Sequence, residues 1–290
     1  MQGIFILLGI IVVALFGGSQ GAGNNGLFST TPVTPVQKNT SVESQIKETQ
    51  SKIEELKKQI QVEEENKNAS VYKGEVTLSY SNRSGDPTQE YLTIKAAKGS
   101  NQIIPVTGWR VKSLCSGNSV TIPKGTYLFF TGTVNSEEEI RLAGGDTLYL
   151  VSGTSPIGIN FKSNKCSGYL TQFQNFVPYI NNICPAPRNE DLSSIPGRVI
   201  NDACFDYIEN FPACKTQTDP LPQTWSTECY NFIYNKINYP SCVNTHKSDP
   251  DFYQPEWRVY LKYSTRLWKN SREAIVLYDN LGKVVDTLKY

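Results

Sequence analysis

Six of the seven cysteines lie close together, and no other feature constrains the fold of this chain as strongly. No pair has Cys-x-x-Cys spacing, and the one histidine, His246, follows the run, so a structural zinc site would need irregularly spaced thiolates alone. Disulfides are the favoured interpretation, and they imply an oxidising compartment outside the cytoplasm. The pairing stays open, and Cys115, otherwise predicted to be unpaired in the sheet region, could replace one member. The run consists of Cys166, Cys184, Cys204, Cys214, Cys229 and Cys242.

The charges of the chain are nearly balanced. Twenty-eight basic side chains oppose 27 acidic ones, which leaves a formal net charge of +1. A protein that is drawn onto nucleic acid carries a clear basic excess, so we expect no nucleic-acid partner. The hydrophobic content of 39% is sufficient for a packed core.

The first 18 residues carry no charge and are mostly apolar, which is typical of a membrane-targeting segment. At about 1.5 Å per residue they would reach about 27 Å, just short of a hydrocarbon core of about 30 Å. A single-pass anchor at the cell membrane with an extracytoplasmic body is the favoured interpretation. The alternative is a secreted protein, because Ser19-Gln20-Gly21 offers small residues for cleavage of a leader.

Residues 19–39 are rich in Gly, Asn, Thr and Pro and are predicted to form a flexible spacer. Thr40 and Glu43 have capping-box spacing, and a helix is predicted over residues 40–66. Its apolar positions follow a heptad pattern, which indicates a short coiled-coil stalk and a possible homo-oligomer. A lone solvated helix is the alternative, since Glu63 breaks the pattern and three heptads are marginal without a partner. The coiled-coil seam consists of Ile46, Ile53, Leu56 and Ile60.

Short segments rich in β-branched and aromatic residues alternate with turn residues on both sides of the cysteine run. Their regular spacing favours a mainly-β fold, an antiparallel β-sandwich built from residues 72–165 and 255–290. The turn signal Asp279-Asn-Leu-Gly282 predicts that the chain finishes on a hairpin. The predicted strands are 75–80, 90–96, 103–114, 119–122, 126–131, 147–151, 157–161, 257–263, 273–278 and 283–290.

Residues 166–254 have a different periodicity and predict an α-helical insertion. One helical pattern opens at Tyr169, a second runs from Ile200 to Phe211, and a third begins at Trp225. Frequent prolines keep these helices short. We expect the insertion to lie between two strands of one sandwich, with its ends close together. The cysteines would staple a subdomain that is too small and too broken to hold itself.

Five stretches of the β segments follow one another in a recognisable order: EYLTIKA (90–96), GWRVKS (108–113), IPKGTYLFF (122–130), GGDTLYLVSG (144–153) and REAIVLYDNLGKVVDTLKY (272–290). Together they resemble a bacterial lamin tail domain. The closing stretch is the most specific, since it has an apolar strand, Asp-x-x-Gly, and Val-Val-Asp ending in an aromatic residue. The resemblance covers about residues 72–163 and 256–290, and it implies an immunoglobulin-like β-sandwich. That family has no shared catalytic residues, so none is assigned.

The insertion departs from an ordinary lamin tail. NKCSGYLTQFQNFVPYINNICP (164–185) and PEWRVYL (255–261) are similar to an insertion-bearing subgroup from small-genome bacteria that has an amino-terminal membrane segment. This likeness supports one split domain and implies no activity.

Motifs that carry catalysis are scarce. The sequence lacks Gly-x-Ser-x-Gly, His-Glu-x-x-His and the phosphate-binding Gly-x-x-x-x-Gly-Lys. His246 as a base for Cys242 is one interpretation, but a solvated loop histidine is favoured. Ser248-Asp-Pro-Asp251 offers oxygens suited to calcium without the spacing or the glycine of an EF-hand. We therefore predict no catalytic residue, no metal site and no cofactor.

Aromatic side chains crowd the insertion, and we expect most of them to fill its core and any excess to form a binding patch. In the sheet region, Trp109 and Trp257 each precede an arginine, and strand alternation predicts tryptophan inward and Arg110 and Arg258 outward. The insertion aromatics are Tyr169, Phe173, Phe176, Tyr179, Phe205, Tyr207, Phe211, Trp225, Tyr230, Phe232, Tyr234, Tyr239, Phe252 and Tyr253.

These features predict a non-enzymatic structural or binding protein that is anchored in the membrane and displays its sandwich and insertion outside the cytoplasm. Its partner would be a protein or another component of the cell envelope. Two alternatives stay open. One is an exported hydrolase with a site between insertion and sandwich, and the other is an envelope scaffold that self-assembles through the stalk.

Overall fold

The computed structural model describes residues 40–82 and 85–290. The predicted membrane segment, residues 1–18, and the predicted spacer, residues 19–39, lie outside the described residues. Within the described part of the chain, no helix is long and apolar enough to cross a membrane. The described chain forms two units, one that ends at Lys58 and one that begins at Gln59.

The fold is mainly β, as the sequence predicts. Its strands are β1 (Val76–Asn82), β2 (Tyr91–Ala96), β3 (Ile104–Pro105), β4 (Arg110–Ser113), β5 (Ser119–Thr121), β6 (Arg141–Leu142), β7 (Thr147–Val151), β8 (Phe161–Asn164), β9 (Tyr253–Tyr260), β10 (Ala274–Tyr278) and β11 (Val284–Lys289). The α-helices are α1 (Thr40–Asn68), α2 (Arg198–Asn210), α3 (Thr227–Lys236) and α4 (Tyr239–His246), and short 3₁₀ helices cover Pro87–Gln89, Ser167–Gln172 and Pro187–Asn189.

Two larger sheets share one buried core. Their strand orders are β1-β2-β7-β9-β8 and β11-β10-β4-β5, and β3 pairs with β6 separately. Leu92 and Ile94 from the first sheet lie in the same buried cluster as Val111 and Ile275 from the second. Every second residue of β2 is buried, because successive side chains of a strand point to opposite faces. The same alternation in the sequence revealed these strands.

The five-stranded sheet is mixed, so the prediction of a wholly antiparallel arrangement is wrong. β9 runs parallel to β7, with Leu148 opposite Trp257, and antiparallel to β8. Parallel neighbours need a long crossover, and the connection from β7 to β9 contains β8 and the entire cysteine-rich segment. Strand spacing along the sequence does not reveal the direction of pairing across such a connection.

Three predicted strands differ from the observed ones. Residues 157–160 form no strand, and β8 instead begins at Phe161 and continues to Asn164. The segment 103–114 divides into β3 and β4, because Gly108 adopts a φ of 85° that most residues with a side chain avoid. The segment 126–131 forms no strand. The amide of Phe130 donates to the side chain of Asn135 at 2.8 Å, and this local bond replaces a ladder bond.

The cysteine-rich segment enters from β8 and returns directly into β9. Asn164 pairs with Tyr253, and the amide of Lys165 donates to the carbonyl of Phe252 at 2.8 Å. The prediction that the two ends of the insertion lie close together is therefore confirmed. Side chains of the insertion form a buried cluster that also includes Phe161 of β8.

The first predicted helix of the insertion is wrong. Only the 3₁₀ helix Ser167–Gln172 forms there, and residues 173–183 are irregular. Pro178 has no amide hydrogen, and it disfavours the α conformation at Val177, so a helix cannot continue.

The other two helical patterns correspond to α2 and α3, whereas α4 was not predicted. The side chain of Asn238 caps α4 by accepting from the amide of Ser241 at 2.9 Å, and a proline stands in its first turn. This cap and proline were the sequence signal for α4.

Three disulfides join the six clustered cysteines, as predicted. The pairs are Cys166–Cys242, Cys184–Cys214 and Cys204–Cys229. Cys115 carries a free, exposed thiol that donates to the carbonyl of Arg272 at 3.3 Å. The first pair closes the insertion at its base, and the other two lie within it.

Removing the base disulfide should destabilise the protein more than removing an internal one. Cys166 and Cys242 are 76 residues apart, whereas Cys204 and Cys229 are 25 apart. Loop-closure entropy gives about 4.5 kcal/mol for the longer loop and about 3.5 kcal/mol for the shorter one. We expect urea unfolding, followed by tryptophan fluorescence, to give a lower free energy of unfolding for C166A/C242A than for C204A/C229A. The reverse order would show that the base is held by other contacts.

Candidate functional site

Arg258 is fully buried although it lies on the outer face of its sheet. Trp257 points into the core between the sheets and Arg258 to the opposite face, as strand alternation predicts, yet both are 0% exposed. Trp109 is buried and Arg110 is exposed, as expected. The two arginines differ in exposure because the insertion covers the outer face of the sheet at Arg258. The sequence therefore predicted the direction of this arginine but not its burial.

The guanidinium of Arg258 connects its own strand to the insertion. Nε donates to Oε1 of Glu256 at 2.8 Å, and Nη2 lies 2.6 Å from the same oxygen. Nη1 donates to the carbonyl of Pro178, and Nη2 donates to that of Tyr179 at 3.0 Å. The guanidinium carbon lies 5.5 Å from the centre of the Tyr149 ring. One cation thus binds a carboxylate, two backbone carbonyls and an aromatic face.

This arrangement makes the arginine and the insertion dependent on each other. A buried guanidinium is costly unless its donors are satisfied, and the carbonyls of Pro178 and Tyr179 satisfy two of them. Glu256 is held in turn by the hydroxyl of Ser163 at 3.1 Å. The irregular backbone at Pro178 is therefore fixed by side chains of β8 and β9.

Residues 173–183, which we call the 173–183 loop, are also fixed at both ends. The side chain of Gln172 accepts from the amide of Thr216 at 2.6 Å and donates to its carbonyl at 3.0 Å. The hydroxyl of Thr171 donates to the side chain of Asn182 at 3.0 Å. Cys184, which follows the loop, is bonded to Cys214. The loop is irregular in conformation but closely tethered.

The 173–183 loop exposes large apolar side chains. Phe176 and Ile180 are 6% and 3% exposed and anchor the loop in the insertion core, whereas Phe173, Tyr179 and Ile183 are 62%, 61% and 49% exposed. Most of the insertion aromatics are buried or half-buried against this core, as predicted. The exposed ones are Phe173, Tyr179, Tyr234 and Tyr253.

A cleft of about 250 Å³ separates the loop from the outer face of the five-stranded sheet. Tyr149 and Thr147 contribute from β7, Ser163 from β8, and Asn181 and Ile183 from the loop. Most of the residues that line it have uncharged polar side chains. Among the residues that line it, Glu256 is the one carboxylate, and that group already binds Arg258.

The hydrolase alternative would place its site in this cleft. General acid–base hydrolysis needs a pair of titratable groups, or a nucleophile with a base. The described lining supplies one carboxylate, Glu256, which binds Arg258, and one phenol, Tyr149, whose pKa is raised by burial. We therefore assign no reaction to the cleft.

The prediction of a solvated loop histidine is wrong. His246 ends α4, and its ring nitrogens contact two carboxylates, with Nδ1 2.8 Å from Asp249 and Nε2 2.9 Å from Glu190. It has no thiol to activate, because Cys242 is bonded to Cys166. The helix that the sequence did not reveal is what places this ring beside Glu190.

The acidic residues near His246 bind a lysine. Lys165 lies 2.9 Å from Asp249 and 2.6 Å from Asp251. These two aspartates belong to the Ser248–Asp251 stretch that offers oxygens for calcium. Within the described part of the chain, no group of three or more His, Cys, Asp and Glu side chains has a metal-binding arrangement.

The seam of the predicted stalk is uncovered in the single chain. Ile46, Ile53, Leu56 and Ile60 of α1 are 51%, 40%, 55% and 46% exposed. Self-association through this seam stays a prediction.

Comparison of the chain with family models, with curated proteins and with solved structures found no match. The lamin-tail resemblance and the absence of a catalytic role therefore stay predictions.

Replacing Arg258 should loosen the 173–183 loop. In R258M the carboxylate of Glu256 loses its cation and keeps only the Ser163 hydroxyl, and the carbonyls of the loop lose their donor. Breaking a buried ion pair costs about 3–5 kcal/mol. R110M is the matched control, since Arg110 also follows a buried tryptophan but is exposed, and it should cost less than about 1 kcal/mol. We expect chymotrypsin to cleave R258M after Phe173 or Tyr179 faster than R110M. Equal cleavage of the two variants would contradict the anchoring role.

Proposed function

We propose that this chain is a membrane-anchored extracytoplasmic binding protein, in which an immunoglobulin-like β-sandwich of the lamin-tail type displays a disulfide-bonded insertion to a protein partner at the cell envelope. The 173–183 loop is the contact surface. The order of the lamin-tail motifs and the buried core shared by the two larger sheets support the sandwich.

The observation that carries this proposal is the exposure of Phe173, Tyr179 and Ile183 on one tethered loop. Exposed apolar groups that lie together mark interaction sites, and aromatic residues supply much of the binding energy in protein interfaces. The Arg258 bonds and the Cys184–Cys214 disulfide hold the backbone in place before a partner arrives. A preorganised loop loses little conformational entropy on binding.

The location outside the cytoplasm rests on two observations. The apolar residues 1–18 provide a segment of nearly bilayer length, and the body contains three disulfides. Disulfides persist in oxidising compartments and are rare in the cytosol. Retention of the segment gives the anchored form that we propose, and cleavage would give a secreted one.

Polar substitution of the exposed loop residues should abolish partner binding. We expect the full-length variant F173S/Y179S/I183S to bind envelope extracts of the producing cells at least about tenfold more weakly than the unaltered protein, because apolar anchors dominate interface energy. Binding is measured with the immobilised protein. A photo-crosslinking residue at Tyr179 then identifies the species bound.

The matched control for this experiment is I103S/V134S/L281S. These three residues are 67%, 103% and 84% exposed, and they lie in the sheet region. The control separates loss of a specific surface from loss of exposed apolar area. Equal weakening in both variants, or undiminished binding of the loop variant, would refute the loop as the contact surface.

A second candidate function is self-assembly of an envelope scaffold through α1. The uncovered seam of Ile46, Ile53, Leu56 and Ile60 favours it, since apolar residues repeated every three and four positions are buried in coiled coils. This role is compatible with binding through the insertion, because the stalk and the loop use different residues.

Substitution of the seam should reduce the mass of the protein in solution. We expect I46S/I53S/I60S to sediment as a monomer in analytical ultracentrifugation while the unaltered chain sediments as an oligomer. The control K47S/E54S/Q61S moves the same changes by one residue, to positions that are also exposed. An unaltered chain that is monomeric, or a seam variant that remains oligomeric, would show that the stalk does not mediate self-assembly.

A further inference from the structure

A cluster of charged side chains joins three distant parts of the insertion at its base. Lys165 follows β8, Glu190 follows the 3₁₀ helix Pro187–Asn189, and His246 ends α4. Asp249 and Asp251 lie between α4 and β9. The cluster adjoins the Cys166–Cys242 disulfide in sequence. Both therefore close the base of the insertion, the disulfide covalently and the cluster through charge.

The geometry of His246 requires a proton on each ring nitrogen. Nδ1 lies 2.8 Å from Oδ2 of Asp249, and Nε2 lies 2.9 Å from Oε1 of Glu190. An ionised carboxylate only accepts hydrogen bonds, and neutral imidazole has a single N–H. Both contacts are therefore satisfied at once only by the imidazolium, which donates from both nitrogens.

Loss of that proton affects the two carboxylates differently. Asp249 also binds Lys165, which binds Asp251 as well, so Asp249 keeps a cationic partner. The ion pair of Glu190 within the described chain is with His246. Deprotonation should therefore release Glu190 first.

The other groups near Glu190 do not replace the imidazolium. Burial, with a smaller effect from the charge of Glu190, raises the pKa of Tyr169 to about 12, so this phenol stays neutral. Arg188 donates to the carbonyl of Glu209 instead. The charge of Lys236 of α3 helps to lower the pKa of Asp191, although hydrogen bonds from Ser193 lower it more.

We propose that His246 is a pH-operated latch. Its imidazolium holds Glu190, and with it residues 185–197, against the base of the insertion. Loss of the proton as the pH rises releases this segment. The latch does not depend on the proposed binding function.

The direction of the pH dependence follows from the environment of the ring. Burial by itself lowers the pKa of His246, but the hydrogen bonds to Glu190 and Asp249 outweigh it and raise the pKa above the ordinary 6.5. A group with a raised pKa contributes stability that is complete below its unfolded value and is lost as the pH rises through its folded value. Hydrogen bonds from Lys165 lower the pKa of Asp249 and of Asp251, so both stay charged under mildly acidic conditions. The latch is therefore closed in mild acid and opens as the pH rises through the folded pKa of His246, which lies above 6.5.

Opening has a defined structural consequence. Residues 185–197 border a groove of about 290 Å³ whose walls include Glu190, Ser194, Phe232 and Cys242. Release of Glu190 would widen this groove and expose Phe232 and the Cys166–Cys242 disulfide, which are buried in the closed form. The base of the insertion would thus become accessible to solvent and to thiols in a pH-dependent way.

The only histidine of the chain makes the test direct. The full-length protein, with ¹³C-labelled histidine, is titrated from about pH 5 to about pH 9, and the single imidazole resonance reports its protonation. We expect the pKa to exceed 6.5 and to fall in E190Q, where a pKa lower by one unit corresponds to a tenfold change in the protonation equilibrium. E228Q makes the same chemical change at an exposed residue of α3 and should leave the pKa unaltered.

Hydrogen exchange then tests the movement itself. The amides of Asn189, Glu190 and Ile195 donate to carbonyls within residues 185–197. After correction for the intrinsic effect of pH on exchange, their protection should fall with the titration of His246. In H246Q the protection of these amides should already be low in mild acid. The intact mass of this variant confirms that its three disulfides have formed. A pKa at or below 6.5, equal pKa values in E190Q and E228Q, or protection that does not follow the titration would each overturn the latch.

Discussion

β9 is the strand on which the rest of the structure depends, because its second half, residues 257–260, is buried on both faces and the strand is paired on both edges. Its parallel pairing with β7 requires a long crossover, and its antiparallel pairing with β8 brings the two ends of the insertion together. Trp257 packs toward the core between the sheets, while Arg258 faces the insertion. A buried guanidinium needs acceptors, and the carbonyls of Pro178 and Tyr179 provide them. One strand thus fixes both the sheet and the loop above it.

The insertion is held by two kinds of bond with different sensitivities. The Cys166–Cys242 disulfide closes its base covalently and restricts the unfolded chain. The contacts of His246 with Glu190 and Asp249 close the same region electrostatically and require a proton on each ring nitrogen. Redox conditions therefore govern the first closure and pH governs the second.

The surface beside the 173–183 loop combines exposed apolar side chains with a single carboxylate. The cleft beside the 173–183 loop contains one carboxylate, Glu256, and Arg258 already neutralises it. The loop exposes Phe173, Tyr179 and Ile183 while it buries Phe176 and Ile180. This division leaves three large side chains exposed on a backbone that Arg258 and the Cys184–Cys214 disulfide hold in place. The uncovered seam of α1 is a separate apolar surface, and its use in self-association stays a prediction.

The sequence by itself determined the β-rich class, most strands, two of the insertion helices and the set of bonded cysteines, because periodicity and cysteine clustering are local properties of the chain. It also indicated that Arg258 points away from the core. Tertiary structure alone decided the parallel pairing of β7 with β9, the choice of disulfide partners, the burial of Arg258 and the meeting of His246 with Glu190. Each of these joins residues far apart in sequence, and their proximity depends on how the insertion folds back over the sheet. A local sequence pattern does not determine how the insertion folds back. It therefore shows which side chains are present but not which of them come into contact.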